Sequence, residues 1–409
     1  MVNITVIGGG SAGWMVAAYL AKHTTYKISL IESSKIPIIG VGESTFASLI
    51  DFLESIGIYE QDLFENCSAV RKYTIHHHNW NGENEVWNHR FCYNEKDNQQ
   101  QDYWMENYIK PTEKWRWGYH VDATRLGTLI KEKSALPNGV EYIIDDIEDI
   151  VLNGNYVTKL IGKNKEYEAD LFIDCTGFRS IIRGKLPIKK KSHPALINNC
   201  AVCGPGTYIE NEQPLPYTQT YSMDYGWRWR VSLQHRTGNG YAFNKDMISI
   251  EDAKKEFINK ASGLIIDKIF IVDIDNSYVT EPWMNNVVAF GLSCGFLEPL
   301  EATGLYLIYG PLPHFVRLLD NPNGAKIYNK LWNNLYTHVS EFVSFIFSSS
   351  KLNHTDYWKS IPKIDKIEPK PVNFRNKIWI DYNYRSLANS RNLEYISPYE
   401  NADGKFKTS

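Results

Sequence analysis

The chain has 409 residues, enough for two or three domain-sized cores or for one interwoven α/β unit, and we expect the interwoven case. Its 44 basic and 47 acidic residues nearly balance, so charge gives no reason to expect nucleic acid or an anionic membrane as a partner. No apolar run suggests a membrane span, and a strand pattern begins at residue 2, which leaves no room for a signal peptide. We therefore expect a cytoplasmic protein.

The first predicted elements are a buried strand over Val2–Ile7, a glycine turn and a helix. Gly8, Gly10 and Gly13 match G-x-G-x-x-G, in which the first glycine permits the turn, the second lets the backbone approach a pyrophosphate, and the third lets helix pack on strand. A second β-like run ends at Glu32, where a ribose-binding carboxylate belongs. This setting predicts a dinucleotide site, with a purely structural βαβ turn as the alternative.

A second glycine-rich loop, Gly40-Val-Gly-Glu-Ser-Thr45, leads into a helix predicted over Phe46–Ile56. Ser44 or Thr45 can cap the helix, but a cap does not need two glycines and a glutamate before it, so we predict a cofactor-facing loop. Further on, a short buried strand ends in Asp174-Cys-Thr-Gly177. In two-site FAD folds, such a segment passes close to the adenine dinucleotide, which favours FAD over NAD.

Residues 67–80 are predicted as one strand that carries Lys72 and the run His76–His78. Alternation points the middle histidine away from its neighbours, so the three cannot share a metal, and we interpret them as strand surface. The local pattern also favours a solvated edge position for Lys72. Residues 81–116 are polar and are predicted as loops with Gln99–Gln101 at their tip.

The cysteines and aromatic residues indicate reduced thiols and an aromatic-lined pocket. Six scattered cysteines form no disulfide framework, and Cys200-Ala-Val-Cys203 is a single C-x-x-C without a second pair at zinc spacing, so no metal site is predicted. The 12 Trp, 26 Tyr and 17 Phe concentrate at 80–120 and 217–243. In Trp227-Arg-Trp-Arg230, alternation places both tryptophans on one strand face and both arginines on the other.

In the C-terminal half, a helix that begins near Thr303 is expected to kink or end at Pro311 and Pro313. A later amphipathic helix runs from about Leu331 to Ile346, and its apolar stripe indicates packing. We predict an α/β fold with one interwoven module over residues 1–350 and an irregular tail over 351–409. The FAD-binding parts are about 1–60, 124–185 and 280–320, and the substrate-side parts are about 61–123 and 186–279.

In this order, the motifs resemble the flavin-dependent tryptophan halogenase family over most of residues 1–350. The segments that carry the resemblance are Gly8–Trp14, Gly40–Thr45, Cys67–Trp80, Trp227-x-Trp229 and Phe296-Leu-Glu-Pro-Leu-Glu301-Ala-Thr-Gly304. The resemblance implies a Rossmann-type, GR2-like FAD-binding domain interwoven with an aromatic-rich β-sheet and followed by C-terminal helices.

The resemblance also implies an activity. Lys72 and Glu301 fall where the family keeps its catalytic lysine and glutamate, and Thr303 and Gly304 fall where backbone N–H groups hold halide beside the flavin. The expected enzyme uses FADH2, O2 and chloride or bromide to make hypohalous acid and to halogenate an electron-rich arene such as an indole or a phenol. Because the chain has one dinucleotide fingerprint and no second, reduced flavin is expected from a separate flavin reductase.

Three features differ from the family pattern. Val231-Ser232 replaces Ile-Pro after the tryptophan motif, and Ala302 replaces the serine that usually follows the catalytic glutamate. The C-terminal region is also shorter than in halogenases of free tryptophan. This shorter region predicts a more open site, in which free tryptophan is a poor substrate. The residues that we assign to the cofactor are Gly8, Gly10, Ser11, Ala12, Gly13, Glu32, Gly42, Glu43, Ser44, Thr45, Asp174, Gly177 and Gly291.

Two other classes of protein remain open at this stage. A flavin monooxygenase would carry NAD(P)H recognition or a Gly-Asp flavin motif, and here the corresponding strand ends in Gly291-Leu292. A non-catalytic flavin-binding protein would not need Lys72 and Glu301. The sequence is compatible with an oligomer.

Overall fold

The computed structural model describes residues 2–36, 42–91, 93–94, 115–209, 212–261, 264–266, 268–369 and 381–396. Two β-sheets organise these residues, and helices cover them. The helices are Ser11–His23, Ser48–Ser55, Glu60–Asn66, Ala123–Ile130, Ile250–Lys260, Thr303–Tyr309, Leu312–Leu318, Gly324–Ser348, Asp356–Ser360 and Asp381–Arg391. Not one helix in these ranges combines the length and the apolar character that crossing a bilayer requires.

The first sheet, called the parallel sheet below, forms around the predicted N-terminal strand. Its strands lie in the order Glu141–Ile144, Lys27–Glu32, Asn3–Ile7, Leu171–Asp174, Val287–Ala289 and Trp283–Met284. All pairs are parallel except the last. Four of the five residues of the strand Asn3–Ile7 are buried, because a parallel sheet is covered on both faces. The predicted α/β fold with a Rossmann-type sheet is confirmed.

The second sheet, called the large sheet, has nine strands and contains the predicted aromatic segments. Its strands are Leu264–Ile266, Gly206–Tyr208, Thr237–Phe243, Gly226–Ser232, Tyr217–Met223, Thr74–His78 and Val86–Arg90 in spatial order. Cys200–Cys203 also pairs with Thr237–Phe243, and Phe270–Asp273 pairs with the other edge of Cys200–Cys203. The alternation predicted for residues 227–230 is confirmed, because the rings of Trp227 and Trp229 lie 5.6 Å apart and Arg228 lies over Tyr221.

The remaining strands in the described residues form five sheets of two or three strands each. Three strands, Glu43–Ser44, Gly118–Val121 and Val70–Lys72, form one of them. The others are Ile147–Asn153 with Tyr156–Gly162 and Glu166–Tyr167, Lys190–Ser192 with Ser277–Val279, Tyr93–Asn94 with Trp115–Arg116, and Lys366–Ile367 with Glu394–Tyr395.

The single strand predicted over residues 67–80 is wrong. The chain changes sheets at Tyr73, so Val70–Lys72 pairs with Gly118–Val121, whereas Thr74–His78 enters the large sheet. The prediction that 81–116 is loop is also wrong at Val86–Arg90, which pairs antiparallel with Thr74–His78. The predicted loop tip at residues 99–101 lies outside the described residues.

In the C-terminal half, the predicted end of the apolar helix near Pro311 is confirmed, whereas the predicted irregular tail is only partly correct. The apolar helix does stop before Pro311, and a second helix starts at Leu312. The irregular tail is wrong at Asp356–Ser360 and Asp381–Arg391, which are helices and bury Trp358, Tyr384 and Leu387 against the long helix Gly324–Ser348. Their apolar side chains are spaced among many polar ones, so the average composition hid the buried face. The division into an interwoven module over 1–350 stays a prediction.

Candidate active site

A cavity of about 710 Å³ is lined by residues of the parallel sheet, the large sheet and the segment after Gly291. The residues assigned to the cofactor that line it are Gly8, Gly10, Ser11, Ala12, Glu32, Gly42, Glu43, Ser44, Gly177 and Gly291. Gly304 also lines it, as do Trp227 and Trp229. The structure thus brings one glycine turn, two further loops and the tryptophan pair to a single cavity.

The glycine turn has the geometry that its spacing predicts. Gly8 has φ +112°, and a Cβ there would lie 2.4 Å from the carbonyl oxygen of Cys175. A Cβ on Gly13 would lie 1.8 Å from the oxygen of Gly8, so Gly13 lets the helix approach the turn and does not line the cavity. Gly10 has no atom within 4 Å of its Cβ position. The N-terminus of the helix Ser11–His23 therefore faces open space, where its free N–H groups can bind an anion.

Glu32 is held on the cavity wall by a residue that sequence analysis missed. The Tyr142 hydroxyl donates a hydrogen bond of 2.8 Å to Glu32 Oε2. The carboxylate also lies against Gly9, where a Cβ would come within 2.1 Å of Glu32 Cδ. No local pattern marks Tyr142, because it comes from a distant strand that lies beside Lys27–Glu32 only in the folded sheet.

Asp174 does not line the cavity, unlike Gly177, the other residue of its segment that we assign to the cofactor. Its carboxylate accepts hydrogen bonds from the backbone N–H groups of Thr176, Ile182 and Arg183 and from the Thr176 hydroxyl. Asp174 is fully buried and shapes the turn that places Gly177 on the wall. Its structural role replaces the direct cofactor contact that the sequence predicted.

The capping role considered for Ser44 and Thr45 is wrong, because the helix begins only at Ser48. The Thr45 hydroxyl oxygen instead accepts a hydrogen bond from the N–H of Tyr119, which holds the loop against the neighbouring strand. Thr45 itself does not line the cavity. Glu43 does, and burial raises the pKa of this carboxyl to about 7.

Lys72 is fully buried, which overturns the solvated position that its strand pattern favoured. Its Nζ lies 3.2 Å from the centroid of the Phe91 ring and has no hydrogen-bond acceptor among the described residues. Burial lowers the pKa of Lys72 well below its usual range, and the Glu301 carboxylate opposes this shift in part. The described surroundings therefore favour the neutral amine.

Glu301 lies between two histidines from adjacent strands of the large sheet. Its Oε2 is 2.5 Å from His89 Nδ1, and its Oε1 is 2.9 Å from His77 Nε2, the second contact at an angle that is poor for a hydrogen bond. Burial alone would raise the pKa of Glu301, but the two histidines lower it to about 2. The interpretation of His76–His78 as strand surface is wrong for His77, which is fully buried.

The same three side chains contain nitrogen and oxygen donors that all lie within 4.8 Å of one another. Such a donor set is able to hold a metal, and the sequence spacing did not predict it because the residues are far apart in the chain. Cys200 and Cys203, by contrast, are free thiols buried on a strand, three residues apart, so alternation points them to opposite faces.

Lys72 and Glu301 lie beside the cavity and are not part of its wall. Ala302 lines the cavity and packs in a small cluster with Phe46, Ile75 and Phe91. Phe46 and Phe91 have ring centroids 5.1 Å apart. Of the two halide residues, Gly304 is on the wall and Thr303 is not, although the buried Thr303 hydroxyl has no partner in the described part of the chain.

Glu298 is a further buried acid that sequence analysis did not single out. Trp227 Nε1 donates a hydrogen bond of 2.6 Å to Glu298 Oε2, and Asn276 donates one of 3.0 Å to Oε1. Burial raises the pKa of Glu298 to about 7. Since Trp227 lines the cavity, Glu298 fixes the orientation of an aromatic wall residue.

Comparison with known proteins gives the family to which the chain belongs. A family profile described as tryptophan halogenase matches residues 3–114 and 105–379. Relatives include 7-chloro-L-tryptophan 6-halogenase KtzR of Kutzneria sp., 27% identical over 92% of this chain and 84% of its own, and tryptophan 7-halogenase RebH of Lentzea aerocolonigenes, 25% identical over 88% and 78%. The chain belongs to the tryptophan halogenase family and is a flavin-dependent halogenase.

Solved structures agree with this assignment at the level of the fold. The crystal structure of tryptophan 6-halogenase SttH from Streptomyces toxytricini superposes with a TM-score of 0.84 over 94% of this chain and 89% of that one, at 24% identity. BrvH, a flavin-dependent halogenase from Brevundimonas sp., superposes with a TM-score of 0.85 over 97% and 91%, at 23% identity.

Proposed function

We propose that the cavity binds FAD along the glycine turn and an electron-rich aromatic substrate beside the tryptophan pair, and that Lys72 directs halogenation. The cavity fits the cofactor because Gly10 leaves open space at a helix N-terminus and Glu32 stands on the wall as a ribose acceptor. Bound reduced FAD supplies the reaction with O2 and halide that yields hypohalous acid. The observation that carries the proposal is the enclosed Lys72 amine.

Lys72 has the properties that handling of hypohalous acid requires. Hypohalous acid is a diffusible and poorly directed oxidant, so an enzyme has to hold it close to one carbon of the arene. A neutral amine can do so by hydrogen bonding to the acid or by forming a haloamine, and an ammonium cannot form the haloamine. The aromatic and dry surroundings of Lys72 support the neutral form.

Glu301 is assigned to orientation of the electrophile near Lys72. The sequence left two roles open, acceptance of the proton that the arene loses and orientation of the electrophile. A carboxylate whose pKa is lowered to about 2 is a weak base, so the contacts with the histidines favour the second role. The negative charge of Glu301 also acts on Lys72 and raises the pKa of its amine, against the larger effect of burial.

The substrate that we propose carries an indole, a phenol or a larger electron-rich ring. Trp227 and Trp229 form an apolar wall of the cavity, and the hydrogen bond from Trp227 Nε1 to Glu298 fixes the orientation of the Trp227 ring. The relatives named above are tryptophan halogenases, so tryptophan, simple indole and phenol belong in one substrate panel. We expect simple indole to be halogenated with a kcat/KM at or above that of free tryptophan, measured by product quantification at several substrate concentrations.

The proposed function predicts halide-dependent product formation that needs a flavin reductase. The purified protein with FAD, an added NADH-dependent flavin reductase, O2 and bromide is expected to add bromine to indole, detected by the isotope pattern in mass spectrometry. Without the reductase we expect neither product nor NADH oxidation. Hydroxylation that does not depend on halide would instead indicate a monooxygenase.

The position of Glu43 predicts a pH dependence of halide use. A Cβ on Gly304 would lie 3.7 Å from Glu43 Oε2, so this carboxyl stands beside the proposed halide position. Its pKa is raised to about 7, so the group is neutral below that pH and becomes an anion that repels halide above it. We expect the KM for bromide to rise about fivefold between about pH 6 and about pH 8.

The matched variant for this prediction is Glu43→Gln, which keeps the shape of the side chain and cannot ionise. Its KM for bromide is expected to stay low and nearly constant over the same pH range. An unchanged, wild-type rise in the variant would show that another group causes the pH dependence.

A further inference from the structure

Three side chains, His120, Thr218 and Ser44, form a hydrogen-bond network that ends on the cavity wall and is called the Ser44 network below. His120 Nδ1 lies 2.9 Å from the carbonyl oxygen of Ser232, and His120 Nε2 lies 2.8 Å from Thr218 Oγ1. Thr218 Oγ1 in turn lies 2.9 Å from Ser44 Oγ. His120 is fully buried, whereas Thr218 and Ser44 line the cavity. The network therefore connects a backbone oxygen with the wall.

The position of every hydrogen in the Ser44 network follows from its partners. A carbonyl oxygen only accepts, so the ring hydrogen of His120 is on Nδ1. Burial lowers the pKa of His120 to about 3, so the ring is neutral and its Nε2 is an acceptor. Thr218 has a single hydroxyl hydrogen and donates it to Nε2. Ser44 must then donate its own hydrogen to Thr218, and its oxygen presents lone pairs to the cavity.

Ser44 lies close to Lys72 because their strands flank the same neighbour in the small three-stranded sheet. Ser44 pairs with His120 on one edge of the middle strand, and Lys72 pairs with Gly118 on the other edge. A Cβ on Gly118 would lie 2.3 Å from the carbonyl oxygen of Thr45 and 2.8 Å from Lys72 Cε. The side chain of Lys72 therefore passes beside the residue that follows Ser44.

The residue before Ser44 stands beside the proposed halide position. A Cβ on Gly304 would lie 3.7 Å from Glu43 Oε2, and both Gly304 and Glu43 line the cavity. Along the chain, Ser44 thus lies between a residue at the halide position and a residue that contacts Lys72. Among the described residues, Thr218 is the sole hydrogen-bond partner of Ser44 Oγ. An acceptor therefore remains free on the wall between the two places.

We propose that Ser44 Oγ accepts a hydrogen bond from the hydroxyl group of hypohalous acid and holds this oxidant on the wall beside Lys72, with Thr218 and His120 as positioning residues. Hypohalous acid has a hydrogen to donate, whereas a halide ion meets only lone pairs at Ser44 and is repelled. The proposal rests on the proposed function, because it names the contact through which the oxidant formed there reaches the amine.

Three variants test the direction of the Ser44 network. Ser44→Ala removes the acceptor, Thr218→Val frees the Ser44 hydrogen to turn towards the cavity, and Thr218→Ser restores the hydroxyl group. The assay contains FAD, a flavin reductase, O2, bromide, indole and a thioether that traps released hypobromous acid. We expect the ratio of brominated indole to oxidised thioether to fall at least about fivefold in Ser44→Ala and in Thr218→Val, and to stay near wild type in Thr218→Ser.

Ser222→Ala is the matched control, because Ser222 lies on the same strand and the same face as Thr218 but is not part of the cavity wall. Its hydroxyl group donates a hydrogen bond of 2.8 Å to the carbonyl oxygen of Asn79. This variant is expected to keep the wild-type ratio. Titration with FAD is expected to give the wild-type affinity in all four variants.

Two results would overturn the proposal while halogenation by the wild type persists. If Ser44→Ala keeps the wild-type ratio and instead loses at least about tenfold in FAD affinity, the acceptor binds an N–H group of the cofactor and not hypohalous acid. If Thr218→Ser loses as much of the ratio as Thr218→Val, the packing of the Thr218 methyl group matters and the direction of the hydrogen bonds does not.

A measurement without turnover keeps this inference separate from the proposed function. If the wild type makes no brominated indole, the proposed function fails, and the assignment of hypohalous acid fails with it. The direction of the Ser44 network is then judged by ¹⁵N NMR of histidine-labelled protein at about pH 7, with the His120 signals assigned from His120→Gln.

The network requires a neutral His120 ring with its hydrogen on Nδ1, and a downfield shift of the Nε2 signal in Thr218→Val, which removes the donor to that nitrogen. A charged ring, a hydrogen on Nε2, or an Nε2 signal that does not move in Thr218→Val would contradict the direction assigned to Ser44.

Discussion

Lys72→Met is expected to reduce halogenation by at least about 100-fold while FAD binding stays at the wild-type level. Methionine fills a similar volume beside Phe91, but it has no nitrogen that can bind or carry the halogen electrophile. Folding should not suffer, because the variant removes a buried amine that has no acceptor among the described residues. On the same preparation, product yield measures halogenation, titration with FAD measures cofactor binding, and thermal melting measures the stability of the fold.

The control for this variant is Lys363→Met, which changes an exposed lysine whose Nζ lies 5.7 Å from the centroid of the Trp358 ring and which is not part of the cavity wall. It is expected to halogenate like wild type. Hypohalous acid released into solution can be trapped with a thioether or a phenol dye, and Lys72→Met should still release it. Product formation near the wild-type level in Lys72→Met would remove the lysine from the reaction.

Gly8→Ala is expected to have the largest effect on folding and on FAD binding. An alanine here would need φ +112°, and its methyl group would lie 2.4 Å from the Cys175 oxygen, which is backbone and cannot rotate away. The turn joins the central strand to the helix Ser11–His23, so its distortion moves both. We expect a loss of more than about 2 kcal/mol in the free energy of unfolding and no measurable FAD binding.

Gly10→Ala separates the fold from the cofactor. Gly10 has φ −75°, which alanine adopts freely, and no atom lies within 4 Å of the added methyl group. The free energy of unfolding without FAD is expected to match wild type, while FAD affinity falls at least tenfold because the methyl group occupies the space that a pyrophosphate would approach. Wild-type FAD affinity in Gly10→Ala would place the pyrophosphate elsewhere.

Local sequence pattern was sufficient for the strand, the glycine turn and the helix with which the chain begins. A strand, a glycine turn and a helix follow one another directly, and the constraints on Gly8 and Gly13 arise from chain geometry within a few residues. The Trp227-x-Trp229 face could be predicted for the same reason, since alternation is a property of one strand. The break before Pro311 likewise follows from the missing N–H of proline.

Tertiary structure decided the chemistry of the buried polar residues. Strand alternation separated His77 from its neighbours correctly, but only the packed sheet shows that its face is covered and therefore dry. Lys72 looked like an edge charge for the same reason. Burial depends on what other segments place over a strand, and Glu301, His89 and Asn383 reach this site from distant parts of the chain. Because a pKa responds to burial and to neighbours within a few ångströms, it becomes predictable only after those segments have met.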